Sequence, residues 1–284
     1  MFSSIGKAVK WIGEHFKGML FLLIVLVVFM PKSENTLNPA NLQEIELLGP
    51  IMSADTIIEA IETAQNDPKI KGVLLNVNSP GGAVPPSIEI AYAIKELKKH
   101  KPVIAYASGI MASGSYYASI YANKIIANPG SIIGSIGVIM QSFNAEELLD
   151  TLGVVPQTVK QGTFKEAGTP TRKWTKAERT ELETLTKDTY DLFVKDVATA
   201  RGLDINNSKS YADAHIFSSQ RAKSVGLIDE VNVKSQAKQQ LAKLANVQVP
   251  TWKEKDKIDA FMDKLGTETI MRLQSYFYGM KASL

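Results

Sequence analysis

The chain has 284 residues, 45% of them hydrophobic and 21% charged, a balance that supports one large or two small globular domains with a substantial core. A net charge of +3 is too small for a nucleic-acid footprint, and the absence of cysteine excludes disulfides, thiolate metal sites and a cysteine nucleophile. With only His15, His100 and His215 present, a histidine-dependent triad or metal centre has few candidates.

The run from Gly18 to Met30 carries no charge and follows Lys7, Lys10 and Lys17. It is 13 residues long, short of the about 20 a spanning helix needs, and the preceding segment with Trp11 extends it. A secretory signal peptide calls for small residues at its cleavage site, whereas this run ends in Val28-Phe29-Met30-Pro31-Lys32. The expectation is therefore an uncleaved anchor. By the positive-inside rule its N-terminus stays in the cytoplasm and the rest is exported.

After a polar linker, Ile45-Glu46-Leu47-Leu48 reads as a strand stopped by Gly49-Pro50. Ser53 is placed to cap a helix through Gln65 whose apolar face holds Ile57, Ile58 and Ile61. Val73 to Val77 reads as a buried strand halted by Ser79-Pro80-Gly81-Gly82, Ser87 to Lys99 as a helix, and Val103 to Tyr106 as another strand. A helix over 111–121 and strands over 124–127 and 137–139 follow, then a long helix over 176–201 ended by Gly202 and a strand over 225–230. Continuous apolar strands alternating with helices predict an α/β fold with a mainly parallel sheet covered by helices.

No phosphate-binding loop and no H-E-x-x-H occurs, and Met111 breaks the G-x-S-x-G pattern around Ser113. Two places carry chemistry. The glycines of Ser79-Pro80-Gly81-Gly82 leave amides unshielded at a strand end, where each oxyanion donor is worth roughly 3 kcal/mol; the same four residues also make an ordinary turn. Ser113, in Met111-Ala112-Ser113-Gly114-Ser115, follows another strand end and opens a helix whose first amide and dipole face its hydroxyl. In a parallel sheet both ends lie at the carboxyl edge, where such folds place their sites. Taken alone, the small residues also suit close packing. A serine needs a base. His100 sits among surface lysines, His215 lies in a turn and His15 precedes the anchor, which leaves lysine. Most lysines sit in polar surface helices; Lys165, in Gln161-Gly162-Thr163-Phe164-Lys165-Glu166, is an exception, though spacing does not separate it from a solvated loop lysine.

In order, V-N-S-P-G-G (77–82), M-A-S-G-S-Y-Y (111–117), N-P-G-S-I-I-G-S-I-G-V-I (128–139), Q-G-T-F-K-E (161–166) and A-D-A-H-I-F-S-S-Q-R-A-K-S-V-G-L-I-D-E (212–230) resemble the short bacterial form of signal peptide peptidase A. That is a serine–lysine peptidase family of the Clp-protease/crotonase fold. The resemblance implies Ser113 as nucleophile, Lys165 as general base, the Gly82 and Gly114 amides as oxyanion hole and Ser135 as the residue orienting the lysine. It implies no metal or other cofactor. It further implies a ring-shaped homo-oligomer in which a neighbouring subunit supplies the lysine, and peptide substrates, chiefly cleaved signal peptides, bound in apolar grooves. The setting would be the outer face of the bacterial cytoplasmic membrane. Residues 1–30 would be a cytoplasmic stub and anchor, 31–42 a linker, 43–250 the peptidase domain and 251–284 a helical tail. The chain departs from the family pattern at Ala83 and Ser115, where glycine is frequent, and at His215, where arginine is common. Two rival expectations are a crotonase-type acyl-CoA thioester enzyme, which would not need an anchor, and a catalytically inactive anchored ring scaffold.

Overall fold

The computed structural model describes Trp11 and residues 15–22 and 39–254. The chain divides into two units, Met1–Pro39 and Ala40–Leu284, and the sheet lies in the second. Residues 15–22 are helical, while the remainder of the expected anchor, from residue 23, lies outside the described residues, as does the tail from 255. Among the described residues no helix is long and apolar enough to cross a membrane.

Among the described residues seven strands form one sheet: β1 (Leu42–Leu48), β2 (Gly72–Ser79), β3 (Val103–Ala112), β4 (Lys124–Ala127), β5 (Ile132–Gly134), β6 (Ile216–Ser218) and β7 (Glu230–Val231). The order β1-β2-β3-β4-β7 is parallel throughout. β3 is long enough to take two sets of partners. Its first half lies between β2 and β4, and Ile110 to Ala112 pair with β5, which pairs antiparallel with β6. Leu74, Leu75, Ile104, Ala105, Ile125 and Ile126 are wholly buried because helices cover both faces. On one face lie α1 (Asp55–Asn66), α2 (Val84–His100), α3 (Gly114–Ser119) and α5 (Lys176–Arg201); α7 (Lys234–Leu244) packs on the other. The short helices α4 (Glu146–Thr151) and α6 (Ser219–Ser224) join the outer segments.

Local chemistry sets these boundaries. α2 starts earlier than its apolar period suggests, since proline fits a first turn that has no amide to spend. Ser53 does not cap α1; its hydroxyl accepts the Asp55 N–H at 3.2 Å and donates to the Asp55 carboxylate at 2.7 Å, one step ahead of the helix. α5 opens on a reciprocal cap between Thr175 and Glu178 and closes at Gly202, which is left-handed with φ of 65°.

Three expectations are corrected. The strand expected over 137–139 lies earlier, as β5, because Gly134 (φ 105°) and Ser135 (φ 51°) turn the chain out of the sheet. The late strand shrinks to Glu230–Val231, since Gly226 (φ 82°) makes a turn and Asp229 is occupied in accepting the Ile125 amide at 2.7 Å. The helix expected from 111 begins at Gly114, Met111 and Ala112 being the end of β3.

Candidate active site

The ends of β2 and β3 lie side by side, Ser79 facing Met111 across a register shift. That shift lets Ser79-Pro80-Gly81-Gly82 peel off β2 and press against the turn from β3 into α3. Gly81 is held at φ 95°, and a Cβ there would fall 2.6 Å from the Gly114 nitrogen and 2.9 Å from the Ser113 Cβ. Only glycine allows that approach. Gly82 is equally confined from the other side, a Cβ on it falling 2.1 Å from the Ile51 carbonyl oxygen.

Ser113 occupies the corner between β3 and α3 with φ 51° and ψ −124°, a conformation that a residue with a side chain avoids. Strain of this kind is worth on the order of 1–3 kcal/mol and is held only where surrounding bonds over-determine it. Here the Ser113 N–H donates to the Gly134 carbonyl at 2.7 Å and the Ser113 carbonyl accepts the Tyr117 amide at 3.0 Å. Ser113 is half-buried at the rim of a cleft.

Two free amides stand beside it. The bridge between Ile51 and the glycine turn uses the Gly81 carbonyl (2.9 Å) and the Ala83 N–H (2.8 Å), which points the Gly82 N–H to the opposite side. Gly114 is the first residue of α3, so its N–H has no intrahelical partner. Among the described residues neither N–H makes a hydrogen bond. A Cβ on Gly114 would sit 3.3 Å from the Gly82 nitrogen, so the two donors are neighbours. Two unspent N–H groups beside a serine hydroxyl form the geometry that holds a tetrahedral oxyanion.

The cleft is small and open to solvent. Val84, Ile88 and Ser87 of α2 line it with Tyr117, Val138, and Thr189, Leu192 and Phe193 of α5. The Tyr117 ring packs on Phe193 with centroids 4.6 Å apart, and its hydroxyl donates to the Asp196 carboxylate. Burial, then that bond, raises the Tyr117 phenol well above its ordinary range, so it stays neutral.

Lys165 lies apart from the cleft. It is exposed in the 161–168 turn and does not line the cleft around Ser113. Among the described residues its ammonium has no hydrogen bond or ion pair, in contrast to its neighbour. Glu166 accepts from Lys160 at 2.6 Å and Arg172 at 3.0 Å, and Arg172 reaches Glu178 of the α5 cap at 2.7 Å. Those bonds, Lys160's first, push Glu166 down to about 2, and the Arg172 bond likewise pushes Glu178 down to about 2. The turn is thus tied to α5 while Lys165 projects into solvent. Ser135 is half-buried directly after Gly134, its N–H donating to the His215 carbonyl at 2.7 Å. The structure brings Ser113, Gly82, Gly114 and Ser135 to one sheet edge and leaves Lys165 outside it.

The sequence motifs say less about the supporting hydroxyls. Ser87 is buried against the Gly114 backbone and donates to the Ala83 carbonyl at 2.8 Å. Ser115 is wholly buried between the two strand ends. The one advance signal for Ser115 is a hydroxyl within a run of small residues; Ser87, between Pro86 and Ile88, carries none.

With this geometry in place, comparison with known proteins is decisive for the family. The profile of peptidase family S49 matches residues 95–248. The chain belongs to peptidase family S49. Over 193 residues it is 44% identical to a protein named as a protease in Methanocaldococcus jannaschii, covering 68% of this chain and 62% of that one. It is 36% identical over 205 residues to a protein named as a protease in Synechocystis, covering 72% and 74%. It is 37% identical over 184 residues to one named signal peptide peptidase SppA in Enterococcus faecium, covering 64% and 54%. The match therefore spans between about half and three quarters of these relatives. Among solved structures, a mutant of the 1510-N membrane-bound stomatin-specific protease superposes with a TM-score of 0.53 at 15% identity, over 76% of this chain and 99% of that one, a likeness of fold. The S49 domain thus carries the expected α/β architecture, a mainly parallel sheet covered by helices.

Proposed function

We propose that this S49 member is a serine endopeptidase with Ser113 as nucleophile, Lys165 as general base and the Gly82 and Gly114 amides as oxyanion hole. The observation that carries the reading is the strained Ser113 corner beside two unspent amides. Ser113 Oγ attacks the peptide carbonyl carbon while its proton passes to the neutral Lys165 amine. The two N–H groups hold the oxyanion. The tetrahedral intermediate then collapses as the lysinium protonates the departing amine, leaving an ester on Ser113. Water, deprotonated by the same lysine, hydrolyses that ester and regenerates the hydroxyl.

A lysine serves as base only when desolvated. Lys165 is exposed in the single chain, so its burial has to come from a second copy. This supports a ring in which Lys165 of one subunit meets Ser113 of the next, with Ser135 orienting it. Ile139, Phe143, Val155 and Val159, exposed along the segment leading to Lys165, offer the apolar area for such contacts. The apolar cleft suits hydrophobic peptides, and the N-terminal apolar run would hold the enzyme at the outer face of the membrane beside cleaved signal peptides. Membership of a peptidase family favours this over the thioester enzyme and the inactive scaffold.

The test uses the full chain in mild detergent with a fluorogenic hydrophobic peptide. Ser113→Ala and Lys165→Ala are each expected to abolish turnover, and a mixture of the two to regain part of it. Activity retained in Ser113→Ala would overturn the nucleophile. Activity retained in Lys165→Ala would place the base elsewhere, and a mixture that stays dead despite proven subunit exchange would put the dyad within one chain.

A further inference from the structure

We infer that Ser115 is a positioning residue for the oxyanion hole, a role that rests on the Ser113 reading above. Ser115 has no exposed surface and is the second residue of α3. Its Oγ accepts the Ala112 N–H at 2.9 Å and donates to the Ser79 carbonyl at 2.6 Å, with the Ala112 carbonyl 2.9 Å away as the alternative acceptor. The bond to Ser79 is the shorter and takes the single hydroxyl proton.

Those partners give the hydroxyl its significance. Ala112 directly precedes Ser113, and Ser79 opens the turn that ends in Gly82. One side chain therefore fastens the β3 end carrying the nucleophile and the Gly114 donor to the β2 end carrying the Gly82 donor. It does so at the register shift, where the regular ladder between β2 and β3 runs out. The Ser79 hydroxyl continues the arrangement by accepting the Gly81 N–H at 3.2 Å. The spacing between the two oxyanion amides is thus set by a chain of hydroxyl bonds: Gly81 to Ser79, Ser79 to Ser115, Ser115 to Ala112. The hydroxyl sets a share of that spacing, and its removal lets the two donors drift apart.

A positioning role and a merely structural one differ in what they move. Ser115→Ala is compared with Ser119→Ala on the full chain. Ser119 is equally buried one turn along α3, its hydroxyl donating to the Ser115 carbonyl at 2.8 Å without touching either strand end. Tm, kcat, KM and inhibition by a peptide aldehyde are read for both. The aldehyde forms a hemiacetal whose oxyanion needs both amides. Ser115→Ala is expected to lower kcat about tenfold with KM within about twofold, and to weaken the aldehyde by about the same tenfold. Ser119→Ala is expected to lower Tm alone. If Ser115→Ala loses Tm but keeps kcat and aldehyde affinity, Ser115 is only structural and the inference falls. The Ser113→Ala control keeps the two readings apart: activity surviving there overturns the assignment of Ser113 as nucleophile, whereas a dead control beside an unaffected Ser115→Ala overturns only the positioning role.

Discussion

Gly114→Ala tests the site at a tightly confined point. Gly114 does not have the positive φ that strains alanine, so any effect comes from space. The new Cβ would lie 2.2 Å from Ser87 Oγ, about 1.2 Å short of the 3.4 Å at which contact becomes ordinary. Ser87 is buried and bonded to the Ala83 carbonyl, so the strain is relieved largely by moving the Gly114 backbone. A displacement near 1 Å in a catalytic donor costs about 100-fold in rate, or about 2.7 kcal/mol. Turnover of a fluorogenic peptide should therefore fall by about two orders of magnitude, with overpacking taking about 1–3 kcal/mol from stability. Adding Ser87→Ala removes the offending oxygen and leaves its Cβ at 3.1 Å, a gap closed by a few tenths of an ångström. The double variant should regain about tenfold or more of the lost kcat. Wild-type kcat in Gly114→Ala would refute the packing argument, and a double variant no better than the single would show that Ser87 is not what the new methyl strikes.

Two further outcomes follow from the same geometry. Glu166 and Glu178 are held near 2 against an ordinary 4.5; a carboxyl depressed on folding stabilises the fold above the ordinary value, and that stabilisation is lost as pH falls from about 4.5 toward about 2. Hydrogen exchange, corrected for intrinsic rate, should show residues 160–178 losing protection in that window before the sheet does; unchanged protection there would dismiss the ion network as the tether. Gly202→Ala meets nothing within 4 Å and pays only for its left-handed backbone, so it should lose about 1 kcal/mol, about 3 °C in Tm, with kcat untouched; a full retention of Tm would count against the αL cap.

The parallel sheet is legible in the sequence because its strands are buried on both faces and therefore read as unbroken apolar runs: Val73 to Val77, Val103 to Tyr106. The two loops of the site are legible for a related reason, since glycine next to serine at a strand end marks close backbone approach. What spacing does not convey is how far β3 continues. Ser108 and Gly109 break its apolar run, yet Ile110 to Ala112 stay in the sheet by pairing with β5. The strand expected over 137–139 is misplaced because Gly134 and Ser135 turn the chain through positive φ values that no periodicity announces. Lys165 is singled out only through resemblance, since spacing does not separate it from a solvated loop lysine. Ser115 is opaque because a buried hydroxyl that joins two backbones looks, in a sequence, like any small residue, and Ser87 because its approach to Gly114 depends on how α2 packs on α3.

Three strands converge on Ser113: β3 delivers it, the end of β2 presents Gly82, and β5 supplies the Gly134 carbonyl that fixes its amide. None of the three elements holds this arrangement alone. If Ser113 is the nucleophile proposed above, a copy whose sheet has parted at this edge has a relaxed serine and scattered amides, and is expected to be inactive.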